Sequence, residues 1–225
     1  MKPDTRLRAR SLTKVVARLT LCATAAMGIH GLAQAQAAGA PACGELGAGY
    51  GPFDYRVVRG HALEIVEKSH FTPRIEGLVK GERVLGDDLN YTLRVFPNHH
   101  RALIAMTKLS EREKTSKPEK SSYTVECWFD RAVRFRPDDT VVRVLFAQFL
   151  AKQSRKDKAI QQLEAATQQA ADNAFSHYNI GLMYFEIKEF DRAMVQAHKA
   201  QALGFTRHEL ADRLKRENRW REPGG

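Results

Sequence analysis

The sequence predicts an all-α protein: a short helix–turn–helix solenoid preceded by an irregular N-terminal segment and closed by a C-terminal cap helix. Two observations carry that prediction. From about Leu63 onward, apolar residues recur at helical spacing, with few β-branched runs and short punctuated breaks. In addition, Ala132, Ala166 and Ala200 are separated by 34 residues and again by 34. Each sits late in an amphipathic segment: "CWFDRAVRFRPDD", "AIQQLEAATQQAADN" and "AMVQAHKAQALGF". Ala159 and Ala193 show the same spacing at the start of the second helix of their units. A fixed period of this length marks stacked helical pairs, each burying its apolar face against its neighbours.

Residues 1–37 are expected to be a cleaved export signal. Lys2, Arg6, Arg8, Arg10, Lys14 and Arg18 form a basic start, the apolar run "LTLCATAAMGIHGLA" follows, and small-x-small sites end at Ala35 or Ala37. The run is shorter than the roughly 20 residues a bilayer span needs. The formal net charge of +10 falls to about +5 beyond residue 37, because six basic residues and one acid, Asp4, lie within the signal. The remaining basic residues are interspersed with acids, as in "LSEREKTSKPEK", and make no nucleic-acid footprint. A periplasmic or secreted location, with no transmembrane span in the mature chain, follows as the expectation.

Residues 38–60 form an irregular Gly/aromatic segment. Gly44, Gly47, Gly49, Gly51 and Pro52 rule out helical packing, whereas Tyr50, Phe53 and Tyr55 could lie across the first helices. Of three cysteines, Cys22 falls in the signal and leaves Cys43 and Cys127. In an oxidising compartment these most simply pair, and two separate thiols are the alternative. Residues 61–97 read as a degenerate helical front module. Its second helix comes from "GDDLNYTLRVFP" and its first from "ALEIVEKSH" or "RIEGLVKG". Residues 98–207 hold the regular units, with a polar insertion near 110–122 between a helix at about 98–113 and one at about 122–135. Residues 208–225 supply the cap helix and tail, with Thr206 as N-cap and Glu209 completing a capping box.

The stretch "HYNIGLMYFEIKEFDRAMVQAHKAQALG" resembles the tetratricopeptide repeat (TPR) family: Gly181, Tyr184, Ala193 and Ala200 fall where that family places Gly, Tyr, Ala and Ala. Ala147 and Leu150 keep small and large in register one unit earlier, and Pro97 and Pro137 stand where the family closes a repeat. The front part, "CGELGAGYGPFDYR" through "FPNHHRALIAM", is similar to a group of exported proteobacterial TPR-containing proteins. The resemblance implies a concave face, built by the first helix of each unit, that binds an extended peptide or partner helix. By register that partner-binding groove comprises Arg101, Ile104 and Lys108, then Val144, Gln148 and Lys152, then Tyr178, Leu182 and Phe185. The Lys/Asn clamp with which some members hold a C-terminal carboxylate is not reproduced.

No phosphate loop, nucleophile elbow or metalloprotease motif occurs, so no catalytic residue and no cofactor are assigned, and the chain is not expected to be an enzyme. Asp87–Asp88 and Asp138–Asp139 read as helix-start carboxylates. His70, His99 and His100 are the candidate metal ligands of an alternative copper- or zinc-handling role. Adjacent helical histidines diverge by about 100°, which favours capping or packing. The expected function is therefore a periplasmic protein–protein interaction scaffold, whose partner is a peptide or protein of the envelope or secretion machinery.

Overall fold

The structure is a computed structural model that describes residues 42–47, 49–81 and 83–222. The expected export signal and its cleavage site lie outside the described residues. Those residues form ten α-helices and no strand, each helix packed on its neighbours. Among them no helix is long and apolar enough to cross a membrane.

The regular part comprises α6 (Thr140–Lys152), α7 (Lys156–Ala170), α8 (Ala174–Glu186) and α9 (Phe190–Ala202). Asp139 caps α6 by accepting from the Val142 N–H, and Asn173 caps α8 by accepting from Ser176. α6 folds back onto α7, and α8 onto α9, through one turn geometry used twice. Ser154 and Lys188 are left-handed, at φ 59° and 62°. The Arg155 N–H then reaches the Leu150 carbonyl as the Glu189 N–H reaches Tyr184, closing both helices with the same six-residue loop. Close approach follows from small residues. A Cβ on Gly181 would lie 2.6 Å from Leu210 Cδ2 and 3.1 Å from Gln196 Cβ. Ala147, Ala159, Ala166, Ala193 and Ala200 are buried throughout these pairs, and Leu150 and Tyr184 fill the space between them.

Ahead of these come α1 (His61–His70), α2 (Pro73–Glu76) and α3 (Leu85–Val95) within the expected front module, then α4 (His100–Glu113) and α5 (Val125–Phe135) at the start of the stretch expected to hold the regular units. "ALEIVEKSH" supplies the long first helix, α1, while "RIEGLVKG" contributes the single turn α2, which Gly77 ends. The inserted loop is not loose. The Ser122 N–H donates to Asn90 Oδ1 of α3, Trp128 Nε1 donates to Ser121 Oγ, and the Glu119 carbonyl sits directly on Gly86, where a Cβ would collide with it. Because this anchoring holds residues 121–123 outside the helix, α5 starts at Val125 under a Thr124 cap rather than at Ser122.

Residues 43–45 lie against α5, and residues 53–58 pack on α1, the end of α3 and the start of α4. Cys43 and Cys127 form a disulfide, S–S 2.08 Å. Phe53 and Tyr55 pack on Val66, Val95 and Phe96, while Tyr50 stays half exposed, edge-on to Phe53. Gly51 permits the closest approach: at φ 95° its Cβ position is 2.7 Å from the Val95 carbonyl, which accepts from the Phe53 N–H.

One local expectation is corrected at the C-terminus. α10 (Glu209–Arg216) starts three residues after Thr206, its N-cap is His208, and no side chain caps it. The Phe205 ring is drawn onto Tyr178, 4.4 Å between centroids, which keeps Thr206 and Arg207 out of the helix. Glu209 accepts from the Tyr178 hydroxyl instead of reaching back to a capping residue. α10 still seals α8 and α9, with Leu210 and Leu214 buried.

Candidate functional site

α6 and α8 pack side by side and leave an apolar groove of about 360 Å3 between them. From α6 come Val141, Val144, Leu145 and Gln148; from α8 come Phe175, Asn179, Leu182 and Glu186. These stripes have the one-face spacing of a helix. Phe175, at 56% exposure, and Val141, at 36%, are large apolar groups left facing solvent. Among the described residues, no side chain or backbone group hydrogen-bonds to the amide of Gln148 or Asn179. The groove therefore pairs apolar walls with two groups that can each donate and accept, the combination that fixes a ligand's orientation in an otherwise apolar site.

A second cavity, about 220 Å3, continues between α4 and α6 and is lined by Ile104, Lys108, Gln148 and Lys152 over Phe129 and Phe149. The structure thus brings Val144, Gln148 and Leu182 into the groove, and Ile104, Lys108 and Lys152 beside it. The other three sit elsewhere. Tyr178 is buried under Phe205, and Phe185 lies beneath the Arg213 guanidinium, 4.2 Å away, and edge-on to Phe190. Arg101 is turned to Glu76 and Glu67. The exposed stripe of α8 is Phe175–Asn179–Leu182–Glu186, rotated from the Tyr178–Leu182–Phe185 stripe because α10 and Phe205 cover the aromatic side.

A polar knot that the linear sequence does not display joins residues 54–56 to the starts of α4 and α6. Asn98 Nδ2 donates to Asp54 Oδ1 at 2.7 Å and to Asp139 Oδ2 at 2.9 Å, while its Oδ1 accepts from the Tyr55 N–H. Arg56 pairs with Asp54 and Asp138 at 2.9 and 3.0 Å, and Arg136 Nε lies 3.1 Å from Asp54. Burial alone would raise the Asp54 carboxyl, but hydrogen bonds from Arg56 and Asn98 hold it far below the ordinary carboxylate range. Asp139 is likewise pushed up by burial and brought lower overall by His100, Asn98 and the Val142 N–H. Every carboxylate of the knot is engaged inside the protein, so the knot fastens three chain segments and offers little to a ligand.

The three histidines singled out as metal candidates go to three carboxylates. His70 Nδ1 lies 3.1 Å from Asp88, His99 Nε2 lies 3.3 Å from Glu67, and His100 Nε2 lies 2.9 Å from Asp139. Among the described residues no group of three His, Cys, Asp or Glu side chains is placed to hold a metal ion. His99 caps α4 in an unusual way: its Nδ1 accepts from the Ala102 N–H at 3.1 Å, which puts the ring proton on Nε2, facing Glu67. Burial, together with the charges of Arg101 and His100, lowers its pKa to about 3.

No protein-family model matches the chain, and no curated protein matches it.

Proposed function

We propose that the mature chain is an exported helix–turn–helix repeat protein of the TPR type that serves as an interaction scaffold in the cell envelope. In this reading it holds an extended segment of a partner protein, from the envelope or secretion machinery, between α6 and α8. The observation that carries the reading is the groove itself. Val144, Leu145 and Leu182 take apolar anchors, and the Gln148 and Asn179 amides take the peptide backbone. The repeat assignment rests on the buried alanines 34 residues apart and on the turn at Ser154 that recurs at Lys188. Arg101 and Lys152 are each held by a carboxylate, which leaves Lys108 as the basic group beside the groove and gives the apolar anchors the larger part in selecting the partner.

The test is site-specific cross-linking in the native envelope, without reductant, from a photoreactive residue at Asn179, compared with the same probe in a Leu182→Glu background. The expected result is one reproducible adduct that the Leu182→Glu change removes while the helical circular dichroism is kept. An adduct pattern that is indifferent to Leu182→Glu would overturn the reading.

A further inference from the structure

A third cavity, about 430 Å3, lies away from the groove, where Glu45, Gly47, Gly49 and Tyr50 meet α3 and α5. Its wall holds Arg131, which is only 3% exposed and has no carboxylate partner among the described residues. Buried charges are ordinarily paired. Arg131 Nη1 spends its two N–H groups on the carbonyls of Cys43 and Glu45, at 3.0 and 2.7 Å. The guanidinium face stacks over Tyr123 at 4.6 Å and Trp128 at 5.5 Å. The Nε–H remains buried without any hydrogen-bond partner. A buried donor without a partner on a charged group calls for one, and Nη2, which makes no hydrogen bond among the described residues, is the edge from which an oxyanion would reach the guanidinium.

The rest of the lining fits the same ligand. Arg94, exposed on α3, faces the cavity with no ion-pair partner among the described residues, while the nearby Arg134 is paired with Asp130. The one acid of the lining, Glu45, is exposed, where water screens it. Tyr50, Tyr91, Tyr123 and Ser122 complete the wall with hydroxyls and flat apolar surface. We infer that this cavity binds a small organic molecule through a phosphate or carboxylate group, with Arg131 gripping the oxyanion, Arg94 guarding the mouth and the tyrosines covering the remainder.

The test follows the arginine Nε–H resonances of the ¹⁵N-labelled, oxidised mature chain by NMR. Inorganic phosphate and succinate are titrated in separate arms, each against sodium chloride at matched ionic strength. The Arg131 signal is identified by its loss in Arg131→Lys. The expected result is a saturable shift of that signal with at least one oxyanion and none with chloride. Saturation by phosphate alone assigns a phosphoester, by succinate alone a carboxylate, and by both an oxyanion site with no preference between them. Arg94→Gln, a change at an exposed position that leaves the fold intact, weakens the binding by about tenfold or more. The inference is overturned if neither oxyanion saturates the signal well into the millimolar range, or if Arg94→Gln titrates like the parent.

Discussion

His99 should make this protein acid-sensitive in a window set by one ring. In the folded chain the imidazole is fully buried, stacked on Tyr55 at 4.0 Å and edge-on to Phe71 at 4.6 Å, and its Nδ1 must stay unprotonated to receive the Ala102 N–H. Its folded pKa of about 3 lies below the ordinary 6.5. The unfolded chain therefore binds the proton first, and stability falls as pH drops from above 6.5 toward 3. Each full pH unit inside that window costs about 1.4 kcal/mol, so the step from pH 7.5 to 4.5 removes about 2.7 kcal/mol from this residue alone. That is a large share of the roughly 5–15 kcal/mol that holds a domain together. The assay is urea denaturation at half-unit pH steps on the parent and on His99→Asn, which keeps a capping oxygen without the titrating ring. The variant is expected to be less stable at pH 7.5 by about 2 kcal/mol, through lost ring packing. The gap should then close or invert by pH 4.5, before the Asp54 and Asp139 carboxylates begin to titrate in the unfolded chain. Parallel curves for the two proteins would refute the argument.

Three further outcomes are expected. Replacing Cys43 and Cys127 by serine releases a closure of 84 residues and should lower the unfolding free energy by about 4–5 kcal/mol on chain entropy, measured by urea titration against the oxidised parent; a loss under about 1 kcal/mol would contradict it. Lys188→Gly relieves a left-handed, exposed non-glycine residue at the end of α8 and should raise stability by about 0.5–1 kcal/mol, read as a shift of the thermal midpoint. Gly181→Ala presses a methyl group onto Leu210, Gln196 and the Ala193 carbonyl and should destabilise by about 1–3 kcal/mol in the same assay, with the α10 amides losing hydrogen-exchange protection first.

What could be read from the chain was whatever repeats locally. The existence of the helix at about 98–113 and the 34-residue recurrence of Ala159 and Ala193 follow from spacing, because one helix pair specifies its own contact, whereas Gly181 is placed through the TPR resemblance. The cover on α8 does not follow from spacing. Tyr178 and Phe185 stand at a plausible groove register, and only the return of Phe205 and α10 decides that this side is buried. The polar knot was illegible for a related reason. Its members, Asp54, Arg56, Asn98 and Asp139, are scattered over 85 positions, and only Asp139 carries a local signal, as a helix cap. Arg131 did leave a trace: it sits between Trp128 and Ala132 on the buried stripe of α5, where a charge has no reason to be unless something meets it.

The clasp between Cys43 and Cys127 also bears on the order of assembly. α6 to α9 are held by contacts between neighbouring helices across short turns, whereas the front segment reaches its place only through partners tens of residues away: Val95 for Phe53, Asn98 for Tyr55 and Arg131 for the Cys43 carbonyl. Local contacts form fastest and distant ones wait on loop closure. The helix pairs α6–α9 should thus settle first, although they are synthesised after the front segment. The two thiols then meet only after α3, α4 and α5 have assembled, so their oxidation fastens a structure that is already in place.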